Sequence, residues 1–174
     1  MILVYLNEKD KKLIDVLEGN RFTYALVGDK QKEKTMKELL EKPEASLATG
    51  ETFLFVTGLE EKAQTWLADA LKENEIFIPR VAIETPYNID WTLGHLLEEV
   101  EREYQYFSTR DTLFRLIMNP DKERIASDKE YLKLMAYGLS LVEKEDASVE
   151  EMKECIEHIE SIQQVSLAQR IKHR

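Results

Sequence analysis

The chain has a single cysteine, Cys155, among 174 residues, which excludes an intrachain disulfide and a cysteine-rich zinc site. Its histidines, His95, His158 and His173, fall into no H-x-x-x-H or H-x-x-E-H spacing, so no metal site is expected. Glycine is scarce, with six residues. Gly28-Asp29-Lys30 and Thr57-Gly58-Leu59 follow apolar strands but lack the G-x-G-x-x-G or G-K-[ST] that cradles phosphate, and no cofactor is expected. Positive charge is also short. The net charge is −10, with 21 acidic against 13 basic residues in positions 1–106 and 13 against 11 in 107–174. A nucleic-acid surface needs a clustered positive field, so nucleic acid is excluded as a partner. The one basic cluster, Arg170-Ile171-Lys172-His173-Arg174, reads as a solvated helix end whose cations complement the helix dipole. Long apolar runs are absent too. Met1 to Leu6 is stopped at once by Asn7-Glu8-Lys9-Asp10, too short for a span or a signal-peptide core, and no later stretch approaches ~20 apolar residues. No membrane association is expected, and the cytoplasm is the expected location.

What remains is a 43% hydrophobic, 33% charged chain with the balance of a soluble globular protein. Its first hundred residues contain two similar halves, about 1–42 and 52–106. Ile2-Leu3-Val4-Tyr5 and Phe53-Leu54-Phe55-Val56 are apolar strands, each followed by an amphipathic helix. With one gap, Leu6 aligns with Leu59, Leu13 with Trp66, Ile14 with Leu67 and Asn20 with Asn74. Each half continues with a second strand, Phe22 to Val27 and Ile76 to Ile83. Each then ends in a helix with paired leucines, M-K-E-L-L-E and L-G-H-L-L-E. This is β-α-β-α written twice, separated by the loop P-E-A-S-L-A-T-G, and matching order and length point to duplication. The continuous apolar strands suit a sheet covered on both faces. The expected fold is therefore α/β, a mostly parallel four-stranded sheet with helices on its faces, over residues 1–106.

From Phe107 onward the period is helical only, giving an α-helical appendage over 107–174. Thr109 is expected to cap a short helix presenting Leu113, Leu116 and Ile117 and ending at Asn119-Pro120. Ser127-Asp128-Lys129-Glu130 and Ser148-Val149-Glu150-Glu151 both have capping-box form. The helices they open present Tyr131, Leu134, Met135, Gly138 and Val142, and Met152, Ile156, Ile159 and Ile162. Cys155 lies at helical spacing from Met152 and Ile159. With Glu154 and Glu157 beside it, its thiol is not activated, and it reads as a small core residue.

In a parallel sheet the loops after the strands gather on one edge, where ligands bind. The residues delivered there are Asn7, Asp29, Thr57, Thr85 and Asn88, with Trp91 and His95 on the last connection, and they form the candidate ligand-binding set. No catalytic residue stands out among them. Asn88, Asp90 and Thr92 are also good helix caps, and Trp91 suits a packed lid over the helix–sheet seam. Leu97, Val100, Tyr104 and Phe107 mark the buried stripe of the following helix, which leaves Glu98, Glu99, Glu101 and Glu103 in water.

The stretch E-T-P-Y-N-I-D-W-T-L-G-H-L-L-E-E at Glu84 to Glu99 carries a resemblance. Thr85, Asn88, Trp91, Thr92, Leu93, Gly94, Leu96, Leu97, Glu98 and Glu99 resemble the signature of a small bacterial domain-of-unknown-function family (DUF3783-like), over about residues 52–105. The resemblance implies a compact α/β unit and no assigned chemistry. It also implies an acidic residue at position 95, making a T-x-x-E capping box with Thr92, where this chain has His95.

Two functions follow. The first is a non-catalytic interaction or regulatory module, with a protein partner or a second copy engaged through the C-terminal helices. The second is a small ligand-binding domain or enzyme using the strand-end edge around Thr57, Thr85 and Asn88.

Overall fold

Four short apolar runs become strands: β1 (Ile2–Tyr5), β2 (Tyr24–Val27), β3 (Phe53–Val56) and β4 (Val81–Ile83). The computed structural model describes residues 1–172, with side chains as far as residue 162. Of the basic tail, His173 and Arg174 lie outside the described residues, as do the side chains of Arg170, Ile171 and Lys172. Two compact units are present, Met1–Arg102 and Glu103–Arg174.

In the first unit the strand order is β2-β1-β3-β4. β1 pairs β2 and β3 pairs β4 in parallel, but β1 and β3 run antiparallel at the centre, with Leu3 opposite Phe55. Two of the three pairs are parallel, as expected, but the central one is not, so the sheet is mixed. The cause is the way the halves meet. Each half makes one parallel pair, and the halves join through their first strands about an approximate two-fold axis. Its signature is the exchange Ile2↔Val56 and Val4↔Leu54 around Leu3↔Phe55.

The helices obey the same relation. α1 (Lys12–Gly19) and α3 (Glu61–Glu73) cover the face bearing Ile2, Val4, Leu54 and Val56. α2 (Met36–Glu41) and the start of α4 (Leu93–Met118) cover the face bearing Leu3, Tyr5, Phe53 and Phe55. Both strands at the centre are buried throughout, as their unbroken apolar sequence requires.

One alignment shifts. α1 buries Leu13, Val16 and Leu17, and α3 buries Leu67, Ala70 and Leu71, so Leu13 corresponds to Leu67 and not to Trp66. Trp66 is 51% exposed and packs its ring against Phe22 at 5.1 Å. The helix ends decide the register. The side-chain amides of Asn20 and Asn74 donate to the carbonyls of Val16 and Ala70. The next residues, Arg21 and Glu75, both take positive φ, and the N–H groups of Phe22 and Ile76 return to Leu17 and Leu71. Counting back from this shared cap places the gap before the helix.

In the second unit, the later turns of α4, α5 (Lys122–Ser127), α6 (Lys129–Glu143) and α7 (Val149–Lys172) enclose Leu113, Tyr131, Met135, Leu141, Met152, Cys155 and Ile159. Thr109 does not start a helix. It is buried inside α4, which runs unbroken because no glycine or proline interrupts it between Gly94 and Pro120. Asp121 caps a helix, α5, that had not been anticipated, and Asp128 rather than Ser127 caps α6. Ser148 and Glu151 do form the reciprocal box that opens α7. Phe107 is 60% exposed and leaves the stripe of Leu97, Val100 and Tyr104. Among the described residues no helix is long and apolar enough to cross a membrane.

Candidate functional site

Because β1 and β3 are antiparallel, the strand ends face opposite ways. Asn7 and Asp29 follow β1 and β2 at one end of the sheet, while Thr57, Thr85 and Asn88 follow β3 and β4 at the other. The candidate set does not converge on one edge.

The first end is closed by the chain's own loop. Leu47 accepts a hydrogen bond from the Asp29 N–H (2.9 Å), and a Cβ on Gly28 would collide with the Ser46 and Leu47 carbonyls, so only glycine admits the loop here. Asp29 accepts from Thr49 N–H (3.0 Å), Thr49 Oγ1 (2.8 Å) and Tyr5 Oη (2.5 Å), and pairs with Lys32 at 2.8 Å. The Lys32 ammonium first, then Tyr5 and Thr49, hold its carboxyl well below the usual carboxylate range. Asn7 caps the following turn through Lys9 N–H and donates to the Gly50 carbonyl at 2.8 Å. Both residues are occupied in anchoring the loop. A hollow of about 230 Å³ remains, bordered by Leu6, Leu26 and Leu47.

Among the described residues the second end has no such cover. The Thr57 hydroxyl donates to the Glu84 carboxylate. Thr85 Oγ1 accepts from the N–H groups of Tyr87 (3.3 Å) and Asn88 (3.1 Å). The Asn88 side chain accepts from Thr85 N–H (2.8 Å) and donates to the Ile83 carbonyl (2.9 Å). β4 is an edge strand. Arg80 and Glu84 bond to β3, so the groups of Ile83 face outward. Asn88 therefore covers an outward carbonyl that would otherwise template another strand. Trp91 is half-buried against the α2–α4 face and meets the His95 ring edge-on at 4.6 Å. Thr92 caps α4 through the His95 N–H at 3.2 Å.

The first half contains the counterparts of this connector. Gly28 N–H donates to Gln31 as Thr85 N–H does to Asn88. Met36 N–H bonds the Trp91 carbonyl and Leu93 N–H the Lys34 carbonyl, both at 2.9 Å, so the two helix starts are laced together about the two-fold axis. The acidic residue expected at position 95 is present at the matching place in the other half. Glu38 completes a full capping box with Thr35. Gln31 and Glu38 went unnoticed in the sequence, although an amide four residues before a capping threonine occurs in both Q-K-E-K-T and N-I-D-W-T.

Between Val56, Leu59, Gln64, Ile83, Thr85 and Pro86 lies a hollow of about 280 Å³ with the Glu84 carboxylate beside it. Asn88, Trp91 and His95 do not border it. Among the described residues no three His, Cys, Asp or Glu side chains are grouped to hold a metal ion. Elsewhere, burial pushes the Cys155 thiol up, away from reactivity, with desolvation rather than the flanking glutamates as the cause.

No curated protein and no solved structure matches the chain. Residues 52–107, which comprise β3, α3, β4 and the first turns of α4, match the sequence model of a family described as a domain of unknown function (DUF3783).

Proposed function

We propose that the protein is a non-catalytic interaction module that self-associates through its C-terminal helices. One observation carries the reading. Phe107, Phe114 and Met118 on α4 are exposed, at 60%, 44% and 60%, although each is large and apolar. At 100° per residue the three fall within a narrow arc, a strip about 16 Å long. Asp111 shares that arc and is held by Arg115 at 3.2 Å, which places one polar position within an otherwise apolar seam. The opposite side of the same turns carries the buried Leu113, so the strip is surplus to the unit's own core. A cluster of exposed aromatics of this kind marks an association surface.

Sedimentation velocity tests the reading. The wild-type chain is expected to sediment as a dimer and the Phe107→Glu/Phe114→Glu variant as a folded monomer. A wild-type monomer at high micromolar concentration refutes self-association.

Ligand binding at the strand-end edge is the second reading, favoured by the hollow beside Thr85. Its volume falls just below the ~300–1,000 Å³ of small-molecule sites. Thr57 and Asn88 are already engaged with Glu84, Thr85 and Ile83. The interaction reading therefore has the stronger support.

A further inference from the structure

We propose that the hollow at the ends of β3 and β4 seats an aliphatic side chain of a partner protein, flanked in the partner by lysine or arginine. The two-fold relation supplies the argument. In the first half, Leu6 and Leu26 lie under the segment Ser46 to Ala48. Their counterparts in the second half are Leu59 and Ile83. Among the described residues no further segment borders them, and Ile83 is 52% exposed whereas Leu26 is half-buried. The same crevice is thus walled once by a segment of the chain itself, which narrows it to about 230 Å³, and once has no such wall among the described residues.

The open copy has been altered in a directed way. Thr85 stands where the first half has Gly28, and its Cβ occupies the path that the covering segment takes there. Pro86 stands where Asp29 donates to Leu47, and proline has no N–H to give. Asn88 blocks the outward carbonyl of Ile83. An occupant can neither follow the first half's backbone route nor extend β4 at that end. Side-chain insertion is the mode left, and a hollow of about 280 Å³ has room for a leucine-sized group.

The charge of the occupant follows from the rim. Glu84 replaces Val27 of the first half and borders the hollow, and Glu60 and Glu61 follow Leu59 in the sequence. None of the three is in an ion pair among the described residues. An apolar floor with the Glu84 carboxylate on its rim, in no ion pair among the described residues, is complementary to an aliphatic side chain beside a cation.

This proposal rests on the interaction reading but not on self-association through α4. The test is a titration of the ¹⁵N-labelled full chain with the blocked peptide Ala-Lys-Leu-Lys-Ala. Amide shifts are expected at Gly58, Leu59, Gln64, Ile83, Glu84 and Thr85, with affinity that weakens as salt rises. Replacing the peptide leucine by serine is expected to weaken binding at least about tenfold. Ile83→Asp should abolish the shifts, and Glu84→Gln should remove most of the salt dependence while the spectrum stays dispersed. Absence of shifts at saturating solubility, shifts indifferent to the leucine, or shifts confined to other residues would each overturn it. A monomeric chain that still binds the peptide would refute α4 self-association alone. A dimer that ignores the peptide would refute the seat alone.

Discussion

Replacing Asn88 by alanine tests the reading of the connector as a fold device. The substitution removes two hydrogen bonds, from Thr85 N–H at 2.8 Å and to the Ile83 carbonyl at 2.9 Å. A typical intramolecular hydrogen bond contributes about 1 kcal/mol net. Water reaches this connector and recovers part of that, so the expected loss is about 1–2 kcal/mol. For a unit of this size each kcal/mol lowers the melting temperature by about 4–8 °C, and the variant should melt roughly 5–15 °C below wild type. Asn88→Asp separates the two bonds. It keeps an acceptor for Thr85 but sets a carboxylate against the Ile83 carbonyl, so at neutral pH it should be at least as destabilised as the alanine variant. Both tryptophans, Trp66 and Trp91, lie in Met1–Arg102, so urea unfolding followed by tryptophan fluorescence reports that unit alone. If both variants unfold within about 0.5 kcal/mol of wild type, Asn88 does not hold the connector.

Gly28→Ala should displace the covering loop, because its Cβ meets backbone at Ser46 and Leu47; limited proteolysis should then cut between Glu44 and Gly50, and an uncut variant contradicts the packing. Asp29→Asn should destabilise by about 2 kcal/mol at pH 7, since it weakens charge-assisted bonds. Asp29's folded pKa is depressed, so its contribution is full above about pH 4 and fades as pH falls below it; the gap between wild type and variant should narrow in acid, and a constant gap refutes the linkage. Cys155 should react with a thiol reagent far more slowly in the native chain than after unfolding, because it is buried and its pKa is raised.

Much of the fold was legible because its devices are local. The central strands announce themselves as four-residue apolar runs, and Ser148 with Glu151 is a short-range pattern. The repeat was visible too, but amphipathic helices align almost equally well one residue apart, and only the caps at Asn20 and Asn74 removed that ambiguity. The antiparallel join of β1 and β3 was not legible. A strand–helix–strand pattern sets direction within each half, whereas the join depends on long-range pairing that leaves no periodic trace. That single unread direction dispersed the candidate site, sending Asn7 and Asp29 to one end and Thr85 and Asn88 to the other. Phe107 was misread because periodicity shows that a helix face is apolar without showing what lies against it.

The central β1–β3 join also sets an order of events during synthesis. β1 leaves the ribosome first and can pair with β2 after a short helical crossover, but its other edge waits for β3, about 50 residues later. At about 5–20 residues per second that interval lasts roughly 3–10 s. Throughout it, Ile2-Leu3-Val4-Tyr5 presents an apolar, unpaired strand edge with no proline or charge to guard it. β4, by contrast, enters between Pro79 and Pro86 and has Asn88 across its outward carbonyl. The permanent edge at β4 is protected by its own sequence. The temporary one relies on the arrival of the second half, so a ribosome stalled near the inter-half loop would leave a chain prone to aggregate.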